Sequence, residues 1–325
     1  MPTMENESAK DLLRVRSRER VPVWEGLVAW LLVVQFIWPQ DLRAIAWVHL
    51  LLTLAPLVAI PLGMRMSGLW STTLRPLRWF YFPTVLLFAL AYCLPGLSWT
   101  GWAALPWLLW TLVAAIMVMR RYLSLARHQP PLGDFARLCA FLYLPVGSAW
   151  ALADRLEIHP LGFDDTIVLL TAAHFHYAGF ILPLLASFLL RRESESLHRL
   201  VTWSAIVGIP LVALGIISTH FGGAGWLEGI FATFMALAGM GLAFWQMGRS
   251  LQVARWNTLP ALAGSVLLMG SMVLALLYAN RSVMDLAFLS IPWMYALHGS
   301  MNALACLLLM LQPLVPSGIA EDATD

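Results

Sequence analysis

The chain has 325 residues, of which 60% are hydrophobic and only 12% are charged, and its formal net charge is +2. Soluble domains carry about twice that charged fraction, so the composition argues against a soluble fold, and so small a net charge argues against nucleic acid as a partner. Charged residues cluster at intervals of roughly 20 to 30 residues, which is the spacing of membrane-spanning helices. We therefore predict an all-α polytopic transmembrane bundle of about ten spans in a lipid bilayer.

The predicted spans follow one another with short polar connections between them. We expect a basic N-terminal arm over residues 1–22, a transmembrane domain over 23–312, and a C-terminal tail over 313–325. No second domain and no repeat of fixed period is visible. The ten predicted spans are 23–38, 44–63, 79–95, 101–119, 135–153, 166–190, 200–220, 226–247, 259–280 and 286–311.

The basic residues predict how the spans are oriented. With the N-terminus placed in the cytoplasm, 17 of the 20 Lys and Arg residues fall on the cytoplasmic side, and only Arg43, Arg155 and Arg281 fall outside. This asymmetry obeys the positive-inside rule. We therefore expect both termini in the cytoplasm, and a bacterial cytoplasmic membrane as the location.

Prolines lie within or beside most of the predicted spans, including Pro56 and Pro61 in the second. Each proline removes a backbone donor, and lipid cannot satisfy the carbonyl that loses its partner. Proline is common in membrane helices, so one interpretation is ordinary packing. The other is a set of broken helices around a cavity.

The sixth span carries the strongest polar motif, Ala173-His174-Phe175-His176-Tyr177-Ala178-Gly179. An ionisable residue near the middle of a span is a candidate functional residue because its burial in lipid is costly. Positions i and i+2 of a helix point about 200° apart, so His174 and His176 should face different neighbours, whereas Tyr177 lies beside His174. We expect this helix at the centre of the bundle.

The last span carries a second motif, His298-Gly299-Ser300-Met301-Asn302-Ala303. His298 and Asn302 are four residues apart and should share a helix face. Gly299 and Ala303 form a pair of small residues that allows another helix to approach closely.

Further polar residues lie toward the outer side of the membrane: His220 ends the seventh span, Glu228 opens the eighth, and His49 lies about one turn into the second. Asp164 and Asp165 stand at the outer mouth of the sixth span. We predict a polar pocket that opens outward.

In that pocket, His174, His176 and His298 are expected to point into one shared cavity, with the remaining helices as a shell around the sixth and tenth. The candidates for binding a substrate or a proton are His174, His176, Tyr177, His298, Asn302, His220 and Glu228. Imidazole is a frequent ligand of transition metals. The metal-ligand candidates are His174, His176, His298 and His220.

The His174–Phe180 segment and the later His298–Ala303 segment together resemble the YndJ-like family of bacterial membrane proteins. The resemblance covers mainly residues 160–311, and the first half matches only in hydropathy. Leu304-Ala305-Cys306 departs from the family pattern after the second motif. The resemblance implies a multi-pass membrane protein whose two motifs define the family, and it does not imply a particular activity.

Two functions, and a purely structural or sensory subunit as a third, remain open at this stage. Histidines suit proton coupling because they titrate near neutral pH, so the first hypothesis is a transporter of a small molecule or an ion. The second is a membrane-embedded enzyme or redox protein in which His174, His176 and His298 bind a metal or haem. The sequence requires no cofactor.

Overall fold

A computed structural model describes residues 21–39, 41–94, 99–125, 130–190, 196–253, 258–281 and 289–311. Within these ranges the chain is helical and contains no strand. The predicted basic arm and C-terminal tail lie almost wholly outside the described residues. Below, the outer end of the bundle is the end that is extracellular in the predicted orientation, and the orientation itself stays a prediction.

Ten helices follow the ten predicted spans in order, which confirms the all-α polytopic fold. Among the described residues, nine helices are long and apolar enough to cross a membrane. The helices are α1 Val23–Phe36, α2 Ile45–Ser67, α3 Arg75–Cys93, α4 Thr100–Leu125, α5 Leu132–Arg155, α6 Asp165–Leu190, α7 Ser196–His220, α8 Gly225–Val253, α9 Leu259–Ala279 and α10 Ile291–Met310.

The first helix is shorter than the span predicted for it. α1 has 14 residues, and at about 1.5 Å per residue it falls short of a hydrocarbon core about 30 Å thick. It packs along α2, where the indole of Trp30 donates a hydrogen bond to the Leu50 carbonyl over 2.9 Å. Gly26 lies so close to the Leu57 carbonyl that any side chain would overlap it.

The second helix is the most buried in the bundle. In its most apolar window 78% of residues are buried, against 61% in α6 and 44% in α10. The prediction that α6 and α10 form the centre and that the other helices form a shell is therefore wrong for α2. Hydropathy could not show this, because an apolar side chain is as well accommodated by lipid as by protein.

Three helices contain a π-turn, a local widening of the helix that occurs often at functional sites. The π-turns span Ala55–Ala59 in α2, Phe175–Gly179 in α6 and Met294–Gly299 in α10. The π-turns of α2 and α6 contact each other, and α10 packs against α2. Both polar motifs found in the sequence therefore coincide with π-turns, and these turns lie on neighbouring helices.

The prolines of α2 explain why its backbone needs partners from other helices. The Ile60 amide donates to the Ala55 carbonyl, which is the π-helical register. In that register the next carbonyl, that of Pro56, faces Pro61, which has no N–H to donate. The Tyr81 hydroxyl donates to the Pro56 carbonyl over 2.5 Å and supplies the missing hydrogen bond.

A second tyrosine donates a hydrogen bond to the helical turn that precedes Pro56. The Tyr177 hydroxyl donates to the Leu51 carbonyl over 2.7 Å. This bond joins the π-turn of α6 to α2, so the tyrosine of the polar motif helps to hold the central helix in place.

Removing either tyrosine hydroxyl should destabilise the bundle. Tyr81→Phe and Tyr177→Phe each leave a buried carbonyl without its side-chain donor, which we expect to lower the free energy of unfolding by about 1 to 3 kcal/mol. Denaturant titration in mixed micelles measures the change. Tyr122→Phe is the control, since Tyr122 is only half-buried and its hydroxyl has no hydrogen-bond partner in the described chain. An equal decrease in the free energy of unfolding in all three variants would contradict the hydrogen-bonding roles assigned to the Tyr81 and Tyr177 hydroxyls.

Candidate functional site

The structure brings together two of the three predicted histidines. The imidazole rings of His174 on α6 and His298 on α10 are stacked, with centroids 6.3 Å apart and ring planes 23° apart. His174 lies nine residues from the outer end of α6, or roughly 14 Å along the axis at 1.5 Å per residue. The two polar motifs therefore meet inside the membrane-spanning part of the bundle.

Backbone carbonyls orient both rings of this histidine pair. Nδ1 of His174 donates to the Leu170 carbonyl over 2.8 Å, and Nδ1 of His298 donates to the Ser271 carbonyl of α9 over 2.8 Å. The Ser271 hydroxyl, 3.2 Å from the His298 carbonyl, donates to it. A neutral imidazole that donates from Nδ1 has a lone pair on Nε2. Within the described chain, neither Nε2 atom has a hydrogen-bond partner, so both lone pairs are available to a ligand.

The exposure of the pair indicates an opening rather than a closed core. His174 is surrounded by the helices on most sides, yet a large part of its surface is exposed. His298 is half-buried. Ionisable side chains in membrane spans almost always face the bundle interior or a water-filled cavity.

The helices next to the histidine pair differ in how many side chains they bury along their length. In α8 no side chain of residues 225–235 is buried, whereas Ala236 and many of the residues that follow it are. Residues 273–278 of α9 likewise lack a buried side chain. The outer part of α6, residues 165–174, packs on α5 and α2. The outer halves of α8 and α9 therefore bury few side chains at the level of the histidine pair.

His176 does not share this site, so the expectation of one cavity for all three histidines is wrong for it. Its ring is fully buried, Nδ1 donates to the Ala172 carbonyl over 2.8 Å, and Nε2 accepts from the Trp107 indole over 3.0 Å. Phe88 packs against the ring, and Gly147 of α5 provides the space for it. Both nitrogens are engaged, so His176 has no lone pair for a ligand. The prediction that His174 and His176 face different neighbours is confirmed.

The other two candidates of the motifs, Tyr177 and Asn302, are buried, and Tyr177 joins two helices. Tyr177 is bonded to α2, as described above. Asn302 is buried, and its side-chain Oδ1 accepts a hydrogen bond from the Cys306 thiol one turn later over 4.0 Å.

The outer candidates His220 and Glu228 are engaged at the ends of their helices. Nε2 of His220 lies 3.1 Å from the Leu161 carbonyl, and its ring packs on Phe163. Glu228 accepts a hydrogen bond from Arg281 over 2.9 Å. These contacts join helix ends to loops and do not include the histidine pair.

The geometry limits a metal site to few ligands. Within the described ranges, no three His, Cys, Asp or Glu side chains gather into a group that could hold a metal ion. Of the four predicted metal ligands, only His174 and His298 lie together.

The α1–α2 loop fastens the start of α10 at the outer surface. Arg43 pairs with Asp41 over 2.6 Å and lies over the ring of Trp293, and its carbonyl accepts a hydrogen bond from the Tyr295 hydroxyl. An open cavity of about 430 Å³ lies between the loop and α10. The loop thereby positions the helix that carries His298.

Low pH should weaken the contact between Asp41 and Arg43 in the α1–α2 loop. Hydrogen bonds from Arg43 lower the pKa of Asp41, so the stabilising contact is complete above the ordinary aspartate pKa of about 4 and is lost as pH falls through the lowered value. Arg43→Gln should return the pKa to its ordinary range. Carbon NMR titration of labelled aspartate measures it, with Asp164, an exposed helix cap, as internal reference. An Asp41 pKa that does not move in Arg43→Gln would contradict the pairing.

The fold and the histidine pair define a class: a multi-pass α-helical membrane protein with an intramembrane pair of histidines. A protein-family model described as "YndJ-like protein" matches residues 50–306. The chain belongs to the YndJ-like family. The match reaches from α2 to α10, well beyond the half of the chain in which the sequence motifs lie.

One curated relative gives the same assignment. The chain is 25% identical over 210 residues to the "Uncharacterized membrane protein YndJ" of Bacillus subtilis (strain 168). The alignment covers 64% of this chain and 37% of the relative, so the chain spans little more than a third of that protein. No solved structure matches the chain.

Three residues that bond to the two motifs or to α2 were not expected from the sequence: Trp107, Tyr81 and Ser271. Tryptophan and tyrosine are common at membrane interfaces, and serine is common in spans, so their presence alone gives no signal. Only the five-residue spacing of Pro56 and Pro61 could have indicated that α2 needs hydrogen-bond donors from its neighbours.

Proposed function

We propose that this protein is a transporter of an ion or small molecule, with proton coupling, in which the His174–His298 pair is the outward-facing binding site. The observation that carries the proposal is the pair itself, because two imidazoles from different helices have free Nε2 lone pairs on an exposed surface within the membrane. Intramembrane titratable groups of this kind mark proton relays and substrate pathways.

The chemistry of the pair favours a proton, a cation or a hydrogen-bond donor as its ligand. Both rings present lone pairs, and each Nδ1 proton is already donated to a carbonyl. When one ring takes up a proton, it becomes a cation next to its stacked neighbour. This positive charge disfavours the binding of a second proton by the neighbour. A pair of this kind can exchange one proton for one cationic ligand.

A change of conformation in the surrounding helices would open such a site first to one side of the membrane and then to the other. Each histidine lies at or next to a π-turn, and π-turns are local irregularities that permit a change of helix register. In this proposal the route to the outside runs along the outer halves of α8 and α9, which bury few side chains. Packing of the same two helices is tight below Ala236 and Met272, which supports an outward-open arrangement.

The first experiment separates transport from metal or haem chemistry. The purified protein is examined by elemental analysis and by visible absorption spectroscopy. A stoichiometric transition metal or a Soret band would overturn the transporter proposal in favour of the metal or haem alternative. We expect neither.

The second experiment detects transport directly. Proteoliposomes that contain a pH-sensitive dye are challenged with a panel of monovalent cations, divalent cations, amines and neutral solutes. We expect at least one class to cause proton movement that protein-free liposomes do not show. If no class moves protons and no radiolabelled solute of the panel accumulates, the proposal fails.

A further inference from the structure

A second group of polar side chains lies at the outer ends of α2, α3 and α5, apart from the histidine pair. The His49 ring packs on Tyr92 with centroids 5.2 Å apart, and the Arg155 guanidinium carbon lies 5.2 Å over the same tyrosine ring. The Tyr92 hydroxyl donates to the Ala151 carbonyl over 3.2 Å, and the Asp154 carboxyl group lies beside it. Four polar side chains from three helices thus lie next to one another.

Several polar atoms of this group have no protein partner. Oδ2 of Asp154 and Nε of Arg155 are fully buried and make no hydrogen bond. Within the described chain, the ring nitrogens of half-buried His49 also make none. Leaving a buried polar group without a hydrogen bond is unfavourable, and more so when the group is charged. Such atoms in native proteins are normally satisfied by something that the protein itself does not supply.

The charges of Asp154 and Arg155 determine which kind of ligand can form hydrogen bonds with these unpartnered atoms. Asp154 would repel an anion and Arg155 would repel a cation, so the pair favours a neutral ligand. That ligand must donate to the carboxylate oxygen and accept from the guanidinium N–H. Water does both, and buried waters typically make about three hydrogen bonds to polar groups such as these.

We propose that His49, Tyr92, Asp154 and Arg155 form a second, water-filled site that opens at the outer end of the bundle and places His49 in contact with the external solution. Asp165, close enough to act electrostatically on Asp154, continues the polar surface outward and pairs with exposed His159 over 2.6 Å. Trp47 of α2, two residues before His49, instead donates to Ser300 of α10. His49 and the α10 contact are therefore on different sides of α2.

Hydroxyl-radical labelling of the wild-type protein in lipid nanodiscs tests the proposal, because radicals formed from bound water oxidise the side chains next to it. Tyr92 and Tyr81 are a matched pair on α3, with 2% and 1% of their surfaces exposed. Tyr81 donates to a carbonyl and faces tryptophan rings. We expect Tyr92 to be oxidised about fivefold faster or more, since only Tyr92 adjoins the proposed water. Equal rates would overturn the proposal.

A second measurement examines His49 itself. His49→Cys is made in a chain whose three native cysteines, Cys93, Cys139 and Cys306, are replaced, and is treated with a charged, membrane-impermeant methanethiosulfonate reagent. Thr53→Cys, one turn deeper and fully buried, is the control. We expect modification of the cysteine at 49 and protection at 53, and protection at both would contradict the water-filled site. Neither experiment uses a substrate, so the result is independent of the transporter proposal.

Discussion

Replacing His174 or His298 by glutamine is expected to lower substrate-driven proton movement at least about tenfold, because each substitution removes one of two basic imidazole nitrogens that act together, and an amide does not take up a proton near neutral pH. Glutamine is close to histidine in size and keeps a polar group in the span, so the bundle should still form. The double variant is expected to lose little more than either single variant. Residues that act as a unit show this lack of additivity.

The controls for this prediction come from the other histidines of the chain. His220→Gln changes an exposed histidine at the outer end of α7 that contacts a loop, and it should retain activity close to that of the wild type. Size-exclusion profiles and thermal stability establish that every variant is folded. If His220→Gln is as defective as His298→Gln, or if the two site variants have additive effects, the pair is not one site.

Much of the fold follows from the sequence for a physical reason. A span must satisfy its own backbone in lipid, so about 20 apolar residues between charged loops form a helix. The way in which the helices pack around one another is harder to predict from the sequence, as α2 shows. Its Leu- and Pro-rich sequence fits a lipid-facing helix as well as a buried one, and its burial depends on hydrogen bonds from Trp30, Tyr81 and Tyr177.

The candidate site, like the fold, could be predicted from the sequence only in part. Polar groups avoid lipid, so His174, His176 and His298 were expected to share one cavity, and of these His174 and His298 lie together. Nothing in a pattern of residue types distinguishes His298 from His176, which is equally intramembrane. The difference lies in tertiary contacts: the His176 ring accepts a hydrogen bond from Trp107 and packs on Phe88, whereas the His298 ring stacks on His174.

Removing the hydrogen bond from Trp107 should have the largest effect on stability. Trp107→Phe deletes the only donor to Nε2 of His176 in the described chain and leaves a cavity where a fully buried indole was. The unsatisfied nitrogen accounts for about 1 to 3 kcal/mol, and the lost packing raises the expected total to about 2 to 4 kcal/mol. Denaturant titration in mixed micelles measures the change in the free energy of unfolding.

A matched substitution on the same helix separates this contact from the general loss of a tryptophan. Trp102 is exposed on α4, so Trp102→Phe should change the free energy of unfolding by less than about 0.5 kcal/mol. Nitrogen NMR of the His176 ring provides the second readout. In the wild type, the Trp107 N–H holds the ring as the Nδ1–H tautomer, and Trp107→Phe should allow the resonances to shift toward exchange between tautomers. An unchanged ring spectrum together with unchanged stability would show that His176 is not held by Trp107.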